Sequence, residues 1–311
     1  MRRLRGGDGQ VSRCRPLALA MLLISALAGC AAQVATPAEG QISVVATTTV
    51  LADLVHRVAG ARALVTSLVP KGGDVHTFEP RPSSLRAVAS ASLVVRNGLG
   101  LDDWVANLVE ETGTSAPVTA AAEGLPGVSY LHGEGAADSI NPHIWMNVSN
   151  TERMVVKIAD ALAAADPAGA KTYSTNAAAY LALLERLDGD LRARMAAIPE
   201  SSRTVVAFHD AFPYLADAYG LHIDGTIVAA PGQDPSAGSV ADLVTAIRRD
   251  NVKAVFAEAQ FNDDLARMIA DETGVVVVSG LYDDTLGDPP LDSYEAIMRW
   301  DVDQVASALG G

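Results

Sequence analysis

The chain has 311 residues, with 23 lysines and arginines against 37 aspartates and glutamates, a formal net charge of -14, 49% hydrophobic residues and only 5% aromatic ones. That length suggests about two domains with ample apolar residues for packed cores, which excludes a disordered polymer. Such acidity without a basic block excludes nucleic acid as a partner. With Cys14 and Cys30 as the only cysteines, the body of the chain can hold neither a disulfide framework nor a Cys-based zinc finger.

Taken in chain order, the first signal is a leader. Arg2, Arg3, Arg5, Arg13 and Arg15 precede an uncharged stretch, Leu17 to Ala28, that runs up to Gly29 and Cys30. About a dozen apolar or small residues are too few to span a bilayer, and the layout predicts an export signal over residues 1–29. Leu27-Ala28-Gly29-Cys30 resembles the lipobox of bacterial lipoproteins, which implies that Cys30 becomes the lipidated first residue of the mature chain. Removing the leader takes away five arginines and one acid, Asp8, so the exported body is more acidic than the whole. A body of that charge is repelled by anionic lipid, and a covalent acyl anchor would hold it at the membrane surface. Residues 30–40, with Pro37 and small polar residues, read as a flexible tether.

From residue 41 on, short runs rich in Val and Ile alternate with helical patterns. Strands are predicted at Ile42 to Ala46, Leu64 to Val69, Leu93 to Val95, Thr204 to Phe208, Ala254 to Ala257 and Val275 to Val278, with helices such as Val50 to Val58, Ser83 to Ala89 and Val240 to Arg249. This alternation predicts an α/β architecture with mostly parallel strands in two lobes, 41–148 and 201–311. The segment between them, 149–200, is helical. Ser149 and Glu152 suggest a capping box, Asp166-Pro167 ends one helix, and Pro167 can open the next. In that second helix Tyr173, Ala177, Tyr180, Leu184, Leu187, Leu191 and Met195 recur every three or four residues until Pro199. About 30 residues give a rod of roughly 45 Å, long enough to join two neighbouring lobes; the alternative is an ordinary surface helix on one of them.

Six histidines are available for chemistry. His56 lies within a helical pattern and His222 beside Ile223 and Asp224 in a strand, and both read as surface or packing residues. His76 follows the turn-rich Lys71-Gly72-Gly73-Asp74-Val75, His209 directly follows a strand, and Asp283 and Asp284 lie just past another. In open α/β sheets, ligands bind at the carboxyl ends of strands, where these residues fall. His143 sits between Pro142 and Ile144-Trp145 in a constrained loop. Should His76, His143, His209 and Asp284 converge, they form a three-nitrogen, one-oxygen set suited to tetrahedral Zn²⁺, with Mn²⁺ as the alternative if the carboxylate is bidentate. Two ligands would come from each block, so that metal capture depends on the relative position of the lobes. Because the imidazoles must be deprotonated, affinity is expected to fall below about pH 6.5.

Six landmarks in order carry a family resemblance: Gly73-Asp74-Val75-His76 with Phe78-Glu79-Pro80, Asn141-Pro142-His143-Ile144-Trp145-Met146, Phe208-His209-Asp210-Ala211-Phe212, Pro231-Gly232-Gln233-Asp234-Pro235-Ser236, Val255-Phe256-Ala257-Glu258-Ala259-Gln260-Phe261 and Leu281-Tyr282-Asp283-Asp284-Thr285-Leu286. Over nearly all of residues 41–311 the chain resembles the zinc and manganese substrate-binding lipoproteins of bacterial ABC importers, cluster A-I, and within it the zinc-type members. The resemblance implies two α/β lobes joined by a long rigid helix, with metal bound between them and delivered to a membrane permease by an extracytoplasmic, membrane-anchored monomer. It matches His76, His143 and His209 to the family's imidazole sites and Asp284 to its C-terminal carboxylate, although a one-residue shift would make Asp283 the ligand. Manganese-type relatives tend to carry glutamate at the third position, so His209 favours Zn²⁺. Two features depart from the pattern. The segment Glu123 to Asn141 holds only His132 where many zinc-type members carry a His-rich loop, and reads as a connector; Ala259 replaces a common proline.

Two other readings compete with this one. A metallohydrolase would use the three histidines, a water in the fourth position and Glu258 or Asp283 as general base; nothing in the chain resembles a hydrolase fingerprint. An organic-solute or siderophore binder would draw on aromatics or an arginine clamp, and aromatics are scarce. An added adhesin role leaves no signature in the sequence.

Overall fold

The computed structural model of the chain describes residues 37–133, 139–228 and 231–310. The expected leader over 1–29, the expected acylation site Cys30 and most of the expected tether lie outside the described residues.

Strands β1 (Ile42–Ala46), β2 (Ala63–Ser67), β3 (Leu93–Arg96) and β4 (Val118–Ala120) form a wholly parallel sheet in the order β2-β1-β3-β4. Strands β5 (Thr204–Ala207), β6 (His222–Thr226), β7 (Ala254–Glu258) and β8 (Val276–Leu281) repeat that plan in the order β6-β5-β7-β8. The helices described are α1 (Thr49–Ala59), α2 (Pro82–Ala89), α3 (Trp104–Thr112), α4 (Val148–Ala165), α5 (Ala170–Ala196), α6 (Pro213–Tyr219), α7 (Ala237–Arg249), α8 (Asp264–Thr273) and α9 (Tyr294–Ala308). The chain therefore has the two parallel-sheet α/β lobes and the long joining helix that the sequence predicts.

A parallel sheet needs cover on both faces, and the period-2 alternation of the strands supplies it. Val44 and Ala46 point into the largest core, whereas Val45 and Val94 point outward to Val88, Val105 and Leu108. In the second lobe Val205, Ala207 and Phe256 join the same large core, while Val206, Val255 and Ala257 face Ile247 and Ile269 on the outer side. One core thus runs through both sheets and the helices between them.

Helix α5 makes that continuity. All seven residues of the predicted stripe, Tyr173 through Met195, are buried, and the helix packs against α1 of the first lobe, α9 of the second and α4, its neighbour in the segment between them. Its 27 residues extend about 40 Å, so the reading as a surface helix on one lobe is set aside. Pro167 opens a 3-10 turn, Pro167–Gly169, ahead of it. Asp166 fixes that corner, accepting hydrogen bonds from Arg62 Nη2 at 2.7 Å and from the Tyr173 hydroxyl at 2.6 Å. The expected Ser149/Glu152 box is replaced by a different cap. Helix α4 starts at Val148, and the Asn147 side chain accepts from Ser149 N at 2.9 Å; asparagine in extended backbone is among the best N-caps and takes the position first.

Leu184, fully buried on α5, touches the shared core. Leu184→Ala is expected to lower unfolding free energy by about 2–5 kcal/mol, whereas the exposed neighbour Arg186, changed to alanine, should move it by no more than about 0.5 kcal/mol. Chemical denaturation of the two variants checks the difference.

Candidate metal centre

Four loops at the carboxyl ends of strands, or just beyond them, bring the candidate ligands together. The loop after β2 is pinned before His76: the Gly72 and Gly73 turn allows a tight reversal, and a Cβ on Gly73 would meet Pro70 O at 2.9 Å. Asp74 then accepts from His76 N at 2.8 Å and from the Thr77 hydroxyl at 2.6 Å, and Trp104 Nε1 donates to Val75 O at 3.3 Å. The His76 side chain retains 21% exposure, while those of His143, His209 and Asp284 retain 3% or less.

His143 is oriented by Asn141. The asparagine Oδ1 accepts from His143 N and from its Nδ1, both at 3.0 Å, which leaves the Nε2 lone pair turned inward. His209 is oriented in the same manner by Glu258 at the end of β7: its Nδ1 donates to Glu258 Oε1 at 3.0 Å, and its Nε2 has no hydrogen-bond partner. Imidazoles that commit Nδ1 to a fixed acceptor and present Nε2 are arranged as metal ligands commonly are.

Three inward donors lie close. His76 Nε2 and His143 Nε2 are 3.4 Å apart, and Asp284 Oδ2 and Oδ1 lie 3.3 and 3.6 Å from them respectively. Among the described residues His76, His143, His209 and Asp284 each offer one ligand atom within 4.8 Å of all the others. A second group, His209, Glu258 and Asp283, shares His209. Asp283 therefore stands apart from Asp284: its Oδ1 accepts from Gln260 Nε2, and its Oδ2 lies 3.4 Å from His209 Nε2. His56, His132 and His222 are exposed and belong to neither group. A cavity of about 250 Å³ opens onto the centre, lined by His76, His143 and His209 with Leu99, Asn141 and Pro231.

Charge is unevenly distributed. Burial holds His143 well below the ordinary imidazole range, keeping it neutral. Burial acts the same way on His209, but Glu258 beside it, with Asp283 and Asp284, outweighs it and raises the group to about 10. Burial would raise Asp284, yet the surrounding imidazoles of His76, His143 and His209 bring it down to about 2. Asp283 is pushed well above the usual carboxylate range by burial and by the charge on Asp284. Both Asp284 oxygens, like His209 Nε2, are buried without a hydrogen-bond partner. Buried polar atoms aimed at one point without partners are costly unless something fills that point, and a divalent cation satisfies all of them at once.

The four converging residues are those expected from the sequence. Asn141 and Trp145 carry no role in that reading and Glu258 enters it only as a candidate general base; the first two lie in the Asn-Pro-His-Ile-Trp landmark, where their nearness to His143 is the available signal.

Comparison with known proteins bears on the family and the fold. Residues 44–308 match the model of the family described as zinc-uptake complex component A, periplasmic. The manganese-binding lipoprotein MntA of Halalkalibacterium halodurans is 32% identical over 293 residues, covering 93% of this chain and 96% of that one. The iron-binding protein YfeA of Yersinia pestis is 33% identical over 275 residues, 87% of each chain. In fold, the periplasmic zinc-binding protein TroA of Treponema pallidum superposes with a TM-score of 0.79 at 24% identity, covering 87% of this chain and 99% of that one. Matched over most of its length by both the family model and these relatives, the chain belongs to the ZnuA family, the metal-binding substrate-binding proteins of ABC importers.

Proposed function

We propose that this chain captures Zn²⁺, with Mn²⁺ as the second choice, between its two lobes through His76, His143, His209 and Asp284, and delivers it to the permease of an ABC importer. The observation that carries this reading is the spacing of the donors. In a tetrahedral site with metal-ligand bonds of about 2.0–2.1 Å, neighbouring donors stand about 3.3–3.4 Å apart; His76 Nε2 and His143 Nε2 are 3.4 Å apart and face the two oxygens of Asp284 at 3.3 and 3.6 Å, and His209 offers a ligand atom within 4.8 Å of the other three. Zinc is preferred because three imidazoles and one carboxylate suit a borderline ion, and because Zn²⁺ stands above Fe²⁺ and Mn²⁺ in intrinsic affinity for such donors. The names of the relatives, which include manganese, iron and zinc binders, support a divalent transition metal as cargo.

In this reading residues 1–29 are the export leader, Cys30 carries the acyl anchor, residues 30–40 are the tether, and the monomer works outside the cytoplasm at the membrane, with lobes at 41–148 and 201–311 and the helical segment 149–200 between them. The lipoprotein relative supports the anchored location. A hydrolase would keep the fourth coordination position for water, whereas the Asp284 carboxylate faces two of the imidazoles there. An organic solute or siderophore needs a larger apolar site of about 300–1,000 Å³, and the cavity here is about 250 Å³ and converges on imidazoles.

The test is elemental analysis of the purified full chain after equilibration with equal concentrations of Zn²⁺, Fe²⁺ and Mn²⁺. One zinc per chain is the expected result; manganese or iron in its place would overturn the zinc assignment, and no bound metal would overturn the function.

A further inference from the structure

The two lobes contribute ligands on separate loops, so something must hold those loops in register. Two lines of contact run through the short segment that carries His143. On one side of it, Asn141 Nδ2 donates to Asp210 O at 2.6 Å and to Asp210 Oδ2 at 3.0 Å, gripping the residue next to His209. The orientation of this amide is fixed by its partners, since a backbone N–H can only donate to Oδ1 and a backbone carbonyl can only accept from Nδ2. The Tyr214 hydroxyl, at the start of α6, donates to Asn141 O at 3.0 Å and tightens the same contact.

On the other side of His143, Trp145 Nε1 donates to Asp283 O at 2.8 Å, the carbonyl next to Asp284. The Trp145 carbonyl is itself held by the Tyr294 hydroxyl at 2.7 Å and the Thr151 hydroxyl at 3.1 Å. Beyond Asp284 the loop is tied further to the first lobe, with Leu286 N donating to the Thr49 hydroxyl and Gly72 N donating to the Thr285 hydroxyl, both at 2.8 Å.

We propose that Asn141 and Trp145, flanking His143, are positioning residues that register the two ligand loops of the second lobe against the first, Asn141 setting the His209 loop and Trp145 the Asp284 loop. Neither is among the four residues whose ligand atoms converge. Asn141 does two jobs with one amide, since its oxygen orients His143 and its nitrogen holds the loop of His209; an aspartate at 141 could do only the first. This assignment rests on the metal-centre reading above.

The experiment uses the full chain carrying Asn141→Asp, which keeps the acceptor and removes the donor, and Trp145→Phe, which keeps a ring and removes the indole N–H. Zn²⁺ release into excess chelator is timed, and amide hydrogen exchange is followed in peptides covering residues 208–213 and 283–288. Loss of a contact that orients a ligand typically costs about 10–100-fold in metal affinity, and release from each variant is expected to quicken by about that factor. The exchange pattern should be side-specific: Asn141→Asp accelerates 208–213 and spares 283–288, while Trp145→Phe does the reverse. Release at the wild-type rate in both variants, or equal loosening of both loops by either one as general destabilisation would produce, overturns the proposal. Wild-type chain that binds no zinc would instead remove the metal-centre reading itself.

Discussion

Asp284→Ala is expected to weaken zinc binding by roughly 10²–10³-fold. Apparent binding free energies at four-ligand structural zinc sites are about 10–16 kcal/mol, so an average donor accounts for about 2.5–4 kcal/mol. The carboxylate is fully buried and faces two imidazoles at 3.3 and 3.6 Å, so no water or neighbouring side chain replaces it easily. Asp283→Asn makes the informative contrast. That residue accepts from Gln260 and, of the three imidazoles, approaches His209, and its loss should cost about tenfold, the lower end of the range for groups that support a ligand, while one zinc per chain is retained. Thermal denaturation reports the same contrast, because a ligand at 1,000 times its Kd adds about 4.1 kcal/mol to stability: zinc should raise the Tm of Asp283→Asn and barely move that of Asp284→Ala. Zinc lost at Asp283 and kept at Asp284 would reverse the assignment.

The choice between these two aspartates shows where sequence reasoning reaches its limit. Apolar runs made six of the eight described strands legible and Ile223 with its neighbours marked a seventh, β6, while the stripe from Tyr173 to Met195 made the joining helix legible, because packing faces impose a period on the chain. Strand β4, Val118–Ala120, is three residues long and too short to show a period. The three histidines could be picked out because each follows a strand or a proline-fixed turn. Nothing comparable separates adjacent residues in one loop, where backbone dihedrals alone decide which side chain faces the site. The contacts of Asn141 and Trp145 were hidden for another reason: Asp210 is 69 residues from Asn141, and Asp283 is 138 from Trp145. Only the folded chain brings them together. The environment of His209 was hidden in the same way, since Glu258 lies 49 residues away, and this changes the expected dependence on pH.

From ordinary imidazoles, zinc affinity would level off above about pH 6.5. The buried carboxylates around His209 move that limit upward. With His209 raised to about 10 in the metal-free chain, the ring carries a proton at neutral pH, and zinc must displace it to reach Nε2. Each pH unit below the ligand's own pKa then costs one factor of ten, so affinity should rise roughly 30-fold between pH 7 and 8.5. The sign follows from linkage. A group with a raised folded pKa stabilises the metal-free fold fully below the unfolded value of about 6.5 and loses that contribution as pH rises toward its folded value; the metal-free competitor weakens across the window in which binding tightens. His143, held neutral by burial, adds a competing proton only under acid conditions. Titration calorimetry at pH 7.5 in two buffers of different ionisation enthalpy should therefore register about one proton released per zinc bound. Glu258→Gln keeps an acceptor for Nδ1 but removes the charge closest to the ring, so the rise between pH 7 and 8.5 should flatten. An affinity already constant over that range in the wild-type chain would mean that His209 is neutral before the metal arrives, and that the buried acids serve to orient the ring without holding its proton.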